Sequence, residues 1–396
     1  MKILIVSLSN IGGGASIAVD RLATLLAKRG YDVEVLVFYG KHSDYYETSF
    51  VYSRKKYLIF RIKLEISRLL MGLFRNPSHD YRSVNLFPSR LLKVLNQSDA
   101  DVINFHWIGA EMLSIEQIAK ISKPIVWTLH DAWMVNGVYH VSPLDYFPYQ
   151  KISGNNWLDK MVYARKKKAF RKKPMHFISP STWIAKRFLT GALFKPGDSC
   201  TIIRNIIDTN IWRPIDKNQA KTTLGFSSEK TNILFIANNI IKSYNKGFVF
   251  VKKLLNRCSD EYVFHFVGSD DEIELDRVVM HGRITNQQEL VLFYSASDVC
   301  ILPSLSENMS NVSVESLLCN TPVLCFDTTG LSEIIKTGIN GYKAKKFDID
   351  DLYKGLEYLR SFNPSVPLAE TIPDFNPDIC LKKYVDVYEK VIEKGK

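Results

Sequence analysis

Leu302-Pro-Ser-Leu-Ser-Glu-Asn-Met-Ser-Asn-Val-Ser-Val-Glu-Ser-Leu-Leu-Cys-Asn-Thr-Pro-Val323 carries the strongest fold signal in this 396-residue chain. Residues Asp298–Leu302 predict a short buried strand, Pro303–Ser310 a loop, and Asn311–Cys319 a helix that ends before Pro322. This order of elements is typical of a parallel α/β sheet, in which ligands bind at the carboxyl ends of the strands. We therefore expect a ligand site at this loop.

Two glutamates of this segment, Glu307 and Glu315, are candidate ligands for hydroxyl groups. The backbone N–H groups of Asn308–Ser313 open the predicted helix, and helix N-termini attract phosphate. A site that recognises both phosphate and hydroxyl groups indicates a nucleotide-sugar. The alternative is an N-capping loop that carries two solvated glutamates.

Outside this segment, strands and helices alternate along the chain, which predicts an α/β fold with two doubly wound Rossmann-like domains. The predicted strands are Lys2–Ser7, Val33–Phe38, Val102–Phe105, Ile125–Leu129 and Phe177–Ser179 in the first half, and Asn232–Ile236, Tyr262–Val267, Asp298–Leu302 and Thr321–Phe326 in the second. We expect domains at 1–205 and 206–377, facing a central cleft that is the default ligand site. Residues 378–396 predict a terminal helix that packs back on the first domain.

Composition bounds the class of protein. Apolar content of 46% and charged content of 23% are typical of soluble globular proteins, and the sequence has no long apolar run of membrane-spanning length. The six cysteines form no CxxC pair, so we expect reduced core residues of a cytoplasmic protein. Residues 1–205 carry 30 Lys and Arg against 15 Asp and Glu (+15), and the remainder 22 against 26 (−4), which together give +11.

Three further motifs carry candidate chemistry. The turn Gly12–Gly14 lies between a predicted strand and helix, where Gly13 and Gly14 would let a phosphate or acceptor approach the backbone, or would only shape the turn. His130 follows a buried strand and can donate a hydrogen bond to a sugar hydroxyl, and His106 is a weaker candidate of the same kind. Lys246, before Gly247, could neutralise charge on a leaving diphosphate, or could be an ordinary surface lysine.

The chain resembles retaining glycosyltransferases of family 4, which have the GT-B fold and an E-x7-E motif. The residues that carry the resemblance are Gly12–Gly14, Thr128–Asp131, Asn205–Asp208, Lys246-Gly247, Tyr294–Asp298, Pro303-Ser304, Glu307, Glu315-Ser316, Asn320–Val323, Thr329–Ile334 and Thr337–Tyr342. They occur in the family's order over nearly the whole chain. The resemblance implies metal-independent retaining transfer of a sugar from a UDP-sugar or GDP-sugar to a glycan or polyprenyl-diphosphate-linked acceptor in cell-surface polysaccharide or lipopolysaccharide biosynthesis.

The resemblance also implies residue roles. Glu307 and His130 would contact the donor sugar, Glu315 the ribose, and Lys246 the diphosphate. The sugar or phosphate would lie against the amides of Asn308, Met309, Ser310 and Asn311, and the base against Arg283 and Ile284. One departure is that Asn238 and Asn239 stand where the family has an arginine, so Lys242 or another basic residue would supply that charge. No metal or other cofactor is expected, because capping explains Asp99-Ala-Asp101 and Asp348-Ile-Asp350 better than metal binding does.

The basic first half allows two further expectations. Residues 53–74 mix apolar and cationic side chains at helical spacing, which fits either an anionic membrane surface or an ordinary packed helix. The cluster Arg165–Lys173 could attract a diphosphate-linked acceptor, and no nucleic-acid-binding module accompanies the charge. The competing functions are a nucleotide-sugar epimerase or hydrolase on the same fold, and a non-catalytic membrane- or polyanion-binding protein with a relic donor site.

Overall fold

A computed structural model describes residues 1–52, 54–74, 81–141, 157–171, 173–241, 243–270 and 274–395, of which residues 54–56 are described in their backbone only. The chain forms two compact units, Met1–Ile206 with Asp378–Lys396, and Ile207–Pro377. Each unit is a parallel sheet covered by helices, the doubly wound α/β fold that the alternation predicts.

The first unit contains a seven-stranded sheet in the order β3-β2-β1-β4-β5-β6-β7, with parallel neighbours throughout. Its strands are β1 (Lys2–Ser9), β2 (Asp32–Tyr39), β3 (Glu47–Phe50), β4 (Val102–His106), β5 (Ile125–Thr128), β6 (His176–Ser179) and β7 (Ser199–Ile202). Its helices are α1 (Gly14–Lys28), α2 (Arg54–Gly72), α3 (Leu91–Gln97), α4 (Ile115–Ile118), α5 (Trp157–Phe170) and α6 (Thr182–Leu189), together with the terminal helix, Pro377–Gly395.

Alternate residues of these strands face opposite sides of the sheet and bury against different helices. On one side, Ile3 and Ile5 pack with α1 and the terminal helix, and on the other side Leu4 and Val6 pack with α2 to α6. The terminal helix also accepts a buried polar contact, because Asn104 Nδ2 donates to the Tyr388 hydroxyl at 2.7 Å. Residues 378–395 are thus part of the core of the first unit.

The second unit contains a six-stranded parallel sheet in the order β10-β9-β8-β11-β12-β13. Its strands are β8 (Thr231–Ile236), β9 (Tyr262–Val267), β10 (Val278–Met280), β11 (Val299–Leu302), β12 (Val323–Phe326) and β13 (Gly341–Ala344). Its helices are α7 (Lys217–Leu224), α8 (Phe248–Leu255), α9 (Gln287–Ala296), α10 (Asn311–Leu318), α11 (Leu331–Ile334) and α12 (Ile349–Arg360), so the terminal helix is α13.

Several elements differ from the sequence-based prediction in a systematic way. The central strands lie within two residues of their predicted bounds, whereas the edge strands β3, β7 and β13 were not predicted. Edge strands are short and only half buried, so their apolar pattern is weak. Among the described residues, no helix is long and apolar enough to cross a membrane.

Candidate active site

In the second unit, the predicted ligand loop lies where the strand order reverses. Strands β8 and β11 are parallel neighbours in the sheet but are not consecutive in the chain. Strand β8 also pairs with β9 on its other side. Loops that follow two such strands diverge and leave room for a ligand at the carboxyl edge. Here these loops carry Lys246, in a short 3-10 helix before α8, and Glu307, before α10.

Lys246 and Glu307 form an ion pair across these two loops, with Lys246 Nζ 2.5 Å from Glu307 Oε2. The carboxylate-bearing side chain is 16% exposed and the lysine side chain 32% exposed, so both are partly desolvated yet reachable. An ammonium in this setting is held near the strand ends and can exchange its carboxylate partner for a phosphate oxygen. The pairing joins two residues to which the family resemblance gives different roles.

The loop from Pro303 to Ser310 is clamped on both sides by backbone contacts. On one side, the Leu305 N–H donates to the Asn245 carbonyl at 2.7 Å, and a Cβ on Gly247 would lie 1.9 Å from the Pro303 carbonyl oxygen. On the other, the Gly330 N–H donates to the Glu307 carbonyl at 2.8 Å. A glycine at 247 and 330 thus permits the close approach that fixes Glu307.

Glu307 is further held by a side chain that had no predicted role. Its N–H donates to Thr329 Oγ1 at 2.9 Å. A Cβ on Gly330 would lie 1.6 Å from the Asn308 carbonyl oxygen, so the turn at 329–330 touches the loop without a gap. The loop geometry therefore depends on the residues that follow β12 as well as on its own sequence.

Glu315 lies in α10 and is 6% exposed, and the Tyr294 hydroxyl donates to its Oε2 at 3.0 Å. Burial and the nearby Glu315 charge raise the pKa of Tyr294 well above its usual value, so Tyr294 stays a donor. Thr321 Oγ1 in turn donates to the Tyr294 carbonyl at 2.6 Å. The alternative of two solvated glutamates is therefore wrong, because one is buried and the other is in an ion pair.

The start of α10 is capped by its own sequence. Ser310 is the N-cap, and its hydroxyl accepts from the Ser313 N–H at 3.2 Å. Met309 and Ser310 are buried, while Asn308 and Asn311 are half-buried. Of the amides predicted for phosphate or sugar, that of Ser313 is therefore used within the helix.

Arg283 and Ile284, predicted for the base, follow β10. The Arg283 guanidinium lies 3.2 Å from Asp270 Oδ2 and donates to Asn239 Oδ1 at 2.9 Å. Ile284 is partly buried against the core of the second unit. Arg283 thus brings a positive charge to Asn239, one of the two asparagines that replace the family's arginine, and Lys242 lies outside the described residues.

In the first unit, the glycine turn joins β1 to α1. Gly12 and Gly13 have φ values of 67° and 71°, which side-chain-bearing residues rarely adopt. Gly13 is the N-cap of α1, which has no side-chain cap, and Gly14 is its first residue. A helix start that lacks a side-chain cap has free backbone amides that suit an anion. The positive φ values of Gly12 and Gly13 explain these two glycines without a ligand.

His130 follows β5 and contacts His106, the last residue of β4, with His106 Nδ1 2.7 Å from His130 Nε2. Burial lowers the pKa of His130 to about 4, against the opposing effect of Asp131. Burial and His130 lower the pKa of His106 well below its usual value. Both imidazoles are therefore neutral near pH 7, and a neutral imidazole still carries one N–H that can donate to a hydroxyl.

Asp131 and Trp133, which follow His130 in the chain, are engaged in contacts within the first unit. Asp131 contacts His140 Nδ1 at 2.5 Å and accepts the Trp133 N–H at 2.9 Å. Trp133 is 2% exposed, and its indole N–H donates to the Ser83 carbonyl at 3.0 Å. His140 Nε2 lies 2.8 Å from Ser83 Oγ, which completes a buried chain of polar contacts behind His130.

Part of the basic cluster Arg165–Lys173 packs within the first unit, and its role as an acceptor-attracting surface stays a prediction. Arg165 pairs with Glu116 at 2.9 Å, and Lys166 is fully buried, donating to three backbone carbonyls. Lys173 donates to the Ile121 carbonyl, and residue 172 lies outside the described part. Lys167 and Lys168 remain exposed.

The acidic pairs behave as capping and surface residues. Asp348 is the N-cap of α12 and accepts the N–H groups of Asp350 and Asp351, as predicted, while Asp99 pairs with Lys2 at 2.8 Å. Within the described ranges, no group of three or more His, Cys, Asp or Glu side chains is placed to hold a metal ion. All six cysteines are free thiols, five of them buried.

Tyr294, Thr329, Gly330, Ser83 and His140 support the candidate residues but were assigned no role from the sequence. Tyr294 and the turn at 329–330 fall inside segments that carry the family resemblance. The sequence therefore pointed to these segments but gave these residues no role. Ser83 and His140 carried no signal, because the contact between them joins residues 57 positions apart in the chain.

Comparisons with known proteins agree with this architecture. The sequence profile described as Glycosyltransferase Family 4 matches residues 12–211, half of the chain, and that described as Glycosyl transferases group 1 matches residues 230–361. The putative colanic acid biosynthesis glycosyl transferase of Escherichia coli is 23% identical over 82% of each chain. An uncharacterised protein of the cps region of Klebsiella pneumoniae is 21% identical over 68% of this chain and 72% of its own.

Among solved structures, the Anabaena protein HepE in complex with UDP and glucose aligns with a TM-score of 0.69 at 15% identity, over 98% of this chain and 99% of that one. This likeness shows the fold. With a family profile that spans half of the sequence, the chain belongs to glycosyltransferase family 4 and has the GT-B fold.

Proposed function

We propose that this glycosyltransferase is a retaining, metal-independent hexosyltransferase that uses a UDP-sugar or GDP-sugar. The single observation that carries the proposal is the Lys246–Glu307 pair at the carboxyl ends of β8 and β11. The Lys246 ammonium, held by one carboxylate, is suited to bind a departing diphosphate. The Glu307 carboxylate, once released from the lysine, is suited to accept a hydrogen bond from a sugar hydroxyl. Glu315, held by Tyr294, would bind the ribose, and the amides of Asn308–Asn311 the sugar or phosphate.

In this reaction, the bond between the anomeric carbon and the phosphate oxygen breaks while the acceptor oxygen attacks from the same face. The proton of the acceptor hydroxyl goes to the departing phosphate oxygen, so no protein base is needed. Lys246 would stabilise the charge that grows on the diphosphate, with Arg283 as a second positive group beside Asn239. In the first unit, His130 would donate to a hydroxyl of the donor sugar.

The reaction is tested with the purified chain, UDP- and GDP-sugars and a lipid-linked acceptor. We expect one nucleotide diphosphate to raise the free energy of unfolding by about 2.7 kcal/mol at a concentration 100 times its Kd. The product should keep the anomeric configuration of the donor, measured by NMR, and activity should survive EDTA. An inverted product contradicts the mechanism, and rapid turnover without acceptor favours the epimerase or hydrolase.

Replacing Lys246 tests its role directly. Lys246→Ala should lower kcat by about 100- to 1,000-fold, because stabilisation of leaving-group charge is lost. Lys336→Ala, which changes an exposed lysine of the same unit, should leave kcat unchanged. Equal activity of the two variants would contradict the proposed role, provided that both have the melting temperature of the native chain.

We propose polysaccharide or lipopolysaccharide biosynthesis as the setting, with a glycan or polyprenyl-diphosphate-linked acceptor. The Escherichia coli relative is named for colanic acid biosynthesis, which supports a surface polysaccharide. A lipid-linked acceptor would place the enzyme at the inner face of the cell membrane, in the cytoplasm. Helix α2 provides a surface for such peripheral contact.

The outer face of α2 is apolar and exposed. Six large apolar residues of this helix, together with Leu73 directly after it, are at least 40% exposed, and Leu69 and Leu73 reach 74% and 79%. At 3.6 residues per turn, the seven fall within an arc of about 120°, turned away from buried Phe60, Ser67 and Met71. The seven are Leu58, Ile59, Ile62, Ile66, Leu69, Leu70 and Leu73.

Polar contacts hold α2 on the first unit in this orientation. Ser67 Oγ donates to buried Glu111 at 2.8 Å, and Arg82 donates to the carbonyls of Met71 and Phe74 at the end of the helix. Arg61 and Arg68 lie on one side of the exposed apolar face, with Glu65 paired to Arg68 at 2.6 Å, and Lys63 lies on the other. An apolar face flanked by cations fits the headgroup layer of an anionic membrane.

Vesicle flotation tests this contact. We expect the chain to float with phosphatidylglycerol-containing vesicles but not with phosphatidylcholine vesicles, and Leu69→Gln/Leu73→Gln to abolish flotation. Ile339→Gln/Val366→Gln, which changes exposed apolar residues of the second unit, is the matched control. If the α2 variant still floats with the vesicles, lipid does not bind this face. A dimer in solution that only the α2 variant dissociates would also contradict lipid binding, because a second copy of the chain would then cover the face.

A further inference from the structure

The contact between His106 and His130 in the first unit follows from strand register. β4 and β5 are parallel neighbours in which His106 lies opposite Thr128, two residues before His130. The two imidazole centroids are 4.9 Å apart with planes tilted by 36°, so the rings meet edge to edge through His106 Nδ1 and His130 Nε2. His106 is 1% exposed, which leaves it little freedom to turn.

A separation of 2.7 Å between two ring nitrogens requires one proton between them. Burial keeps both rings neutral near pH 7, so each carries one N–H. Two arrangements satisfy this count. Either His106 Nδ1–H donates to His130 Nε2, or His130 Nε2–H donates to His106 Nδ1.

The other ring nitrogen of His106, Nε2, distinguishes between these two hydrogen-bond arrangements. His106 Nε2 is buried, and within the described part of the chain it has no hydrogen-bond partner. If His130 donated, His106 Nε2 would carry a buried N–H with no acceptor, which is rare in folded proteins. If His106 donates, Nε2 is a lone pair, and an unpaired acceptor is better tolerated than an unpaired donor.

We infer that His106 is a positioning residue that fixes His130 in the tautomer protonated at Nδ1. His130 then presents an N–H, which can donate to a sugar hydroxyl, and its Nε2 is occupied by His106. The use of that N–H on a sugar rests on the proposed function, whereas the tautomer of His130 does not. His106 therefore contributes to the reaction through His130 and needs no contact with the substrate.

The tautomer is measured on the full chain, labelled with ¹⁵N in the histidine rings, by long-range ¹H–¹⁵N correlation at pH 7.5 without donor. His130→Gln assigns the His130 signals by their loss. We expect His130 to show a protonated-type Nδ1 and an unprotonated-type Nε2. A His130 ring protonated at Nε2 in the native chain overturns the inference, whatever the behaviour of the variants.

Two variants at position 106 give a matched comparison. His106→Asn keeps an N–H at the place of Nδ1 and should preserve the His130 tautomer and kcat/KM within about threefold. In its ionised form, the side chain of His106→Asp can only accept, so the variant should place a proton on His130 Nε2 and lower kcat/KM about tenfold or more with an unchanged melting temperature. An aspartate variant with the native tautomer overturns the inference. The expected tautomer without sugar transfer would instead count against the proposed function alone.

Discussion

At the scale of single residues, the candidate site depends on glycines that allow backbone segments to touch. Gly247 has a φ of 75° and faces the Pro303 carbonyl. A side chain at this position would strain the backbone and would also clash with that carbonyl. Gly225 has a similar φ of 68°, but a Cβ there would meet nothing within 4 Å. A comparison of substitutions at Gly225 and Gly247 therefore separates the cost of backbone strain from the cost of a steric clash.

Gly225→Ala should lower the free energy of unfolding by about 1 kcal/mol, the cost of a left-handed conformation. Gly247→Ala should lower it further and raise the KM for the donor about tenfold, because the loop that carries Glu307 has to shift. Urea denaturation and steady-state kinetics measure these effects. Equal stability and equal KM for the two variants would show that Gly247 does not hold the loop.

At the scale of secondary-structure elements, α5 shows how a basic sequence can serve packing. Lys166 Nζ donates to the carbonyls of Trp133, Asn136 and Gly137 and lies 3.5 Å from the centroid of the Trp133 ring. The loop it holds begins three residues after His130. The helix therefore supports the segment behind the candidate site through a side chain that the sequence presents as one of a run of cations.

Lys166→Met should destabilise the protein by about 3 kcal/mol or more, because three buried carbonyls lose their donor. Lys167→Met, at the exposed neighbouring position, should change the free energy of unfolding by less than about 0.5 kcal/mol. Chemical denaturation of both variants tests this difference. A Lys166→Met variant as stable as the native chain would mean that these carbonyl contacts contribute nothing.

At the scale of the whole molecule, both units contain buried histidines that stay neutral. In the first unit burial lowers the pKa values of His106, His130 and His176, and in the second it lowers those of His265, to about 3, and His281. Unfolding exposes each ring to water, where its pKa returns to about 6.5. Acid therefore favours the unfolded state of both units.

The stability contributed by these neutral rings is complete above about pH 6.5 and is lost as the pH falls toward their folded pKa values. His130, His176 and His265 should each lower the free energy of unfolding by up to about 1.4 kcal/mol per pH unit between 6.5 and their folded pKa values. Urea midpoints at pH 7.5, 6 and 5 measure the slope. His265→Gln should reduce it. A midpoint that is constant over this range contradicts the prediction.

Local sequence patterns were sufficient to predict two doubly wound α/β units, whereas the roles of the candidate residues stay predictions. Alternating apolar runs and helical periods predicted the central strands, and the segment 302–323 predicted a strand, a loop and a helix within about a residue of those observed. These patterns are local, since they arise from side-chain period and from turn residues within a few positions. The half-buried edge strands β3, β7 and β13 lacked such a pattern.

The partners of the candidate residues were decided by the tertiary structure. Lys246 and Glu307 are 61 positions apart, Tyr294 and Glu315 are 21 apart, and His106 and His130 are 24 apart. These pairs meet because β8 lies beside β11, α9 packs on α10, and β4 lies beside β5. Neighbour relations of this kind depend on how the whole sheet is ordered. The spacing of residues along the chain does not contain them, which is why buried Lys166 could not be told from its exposed neighbours.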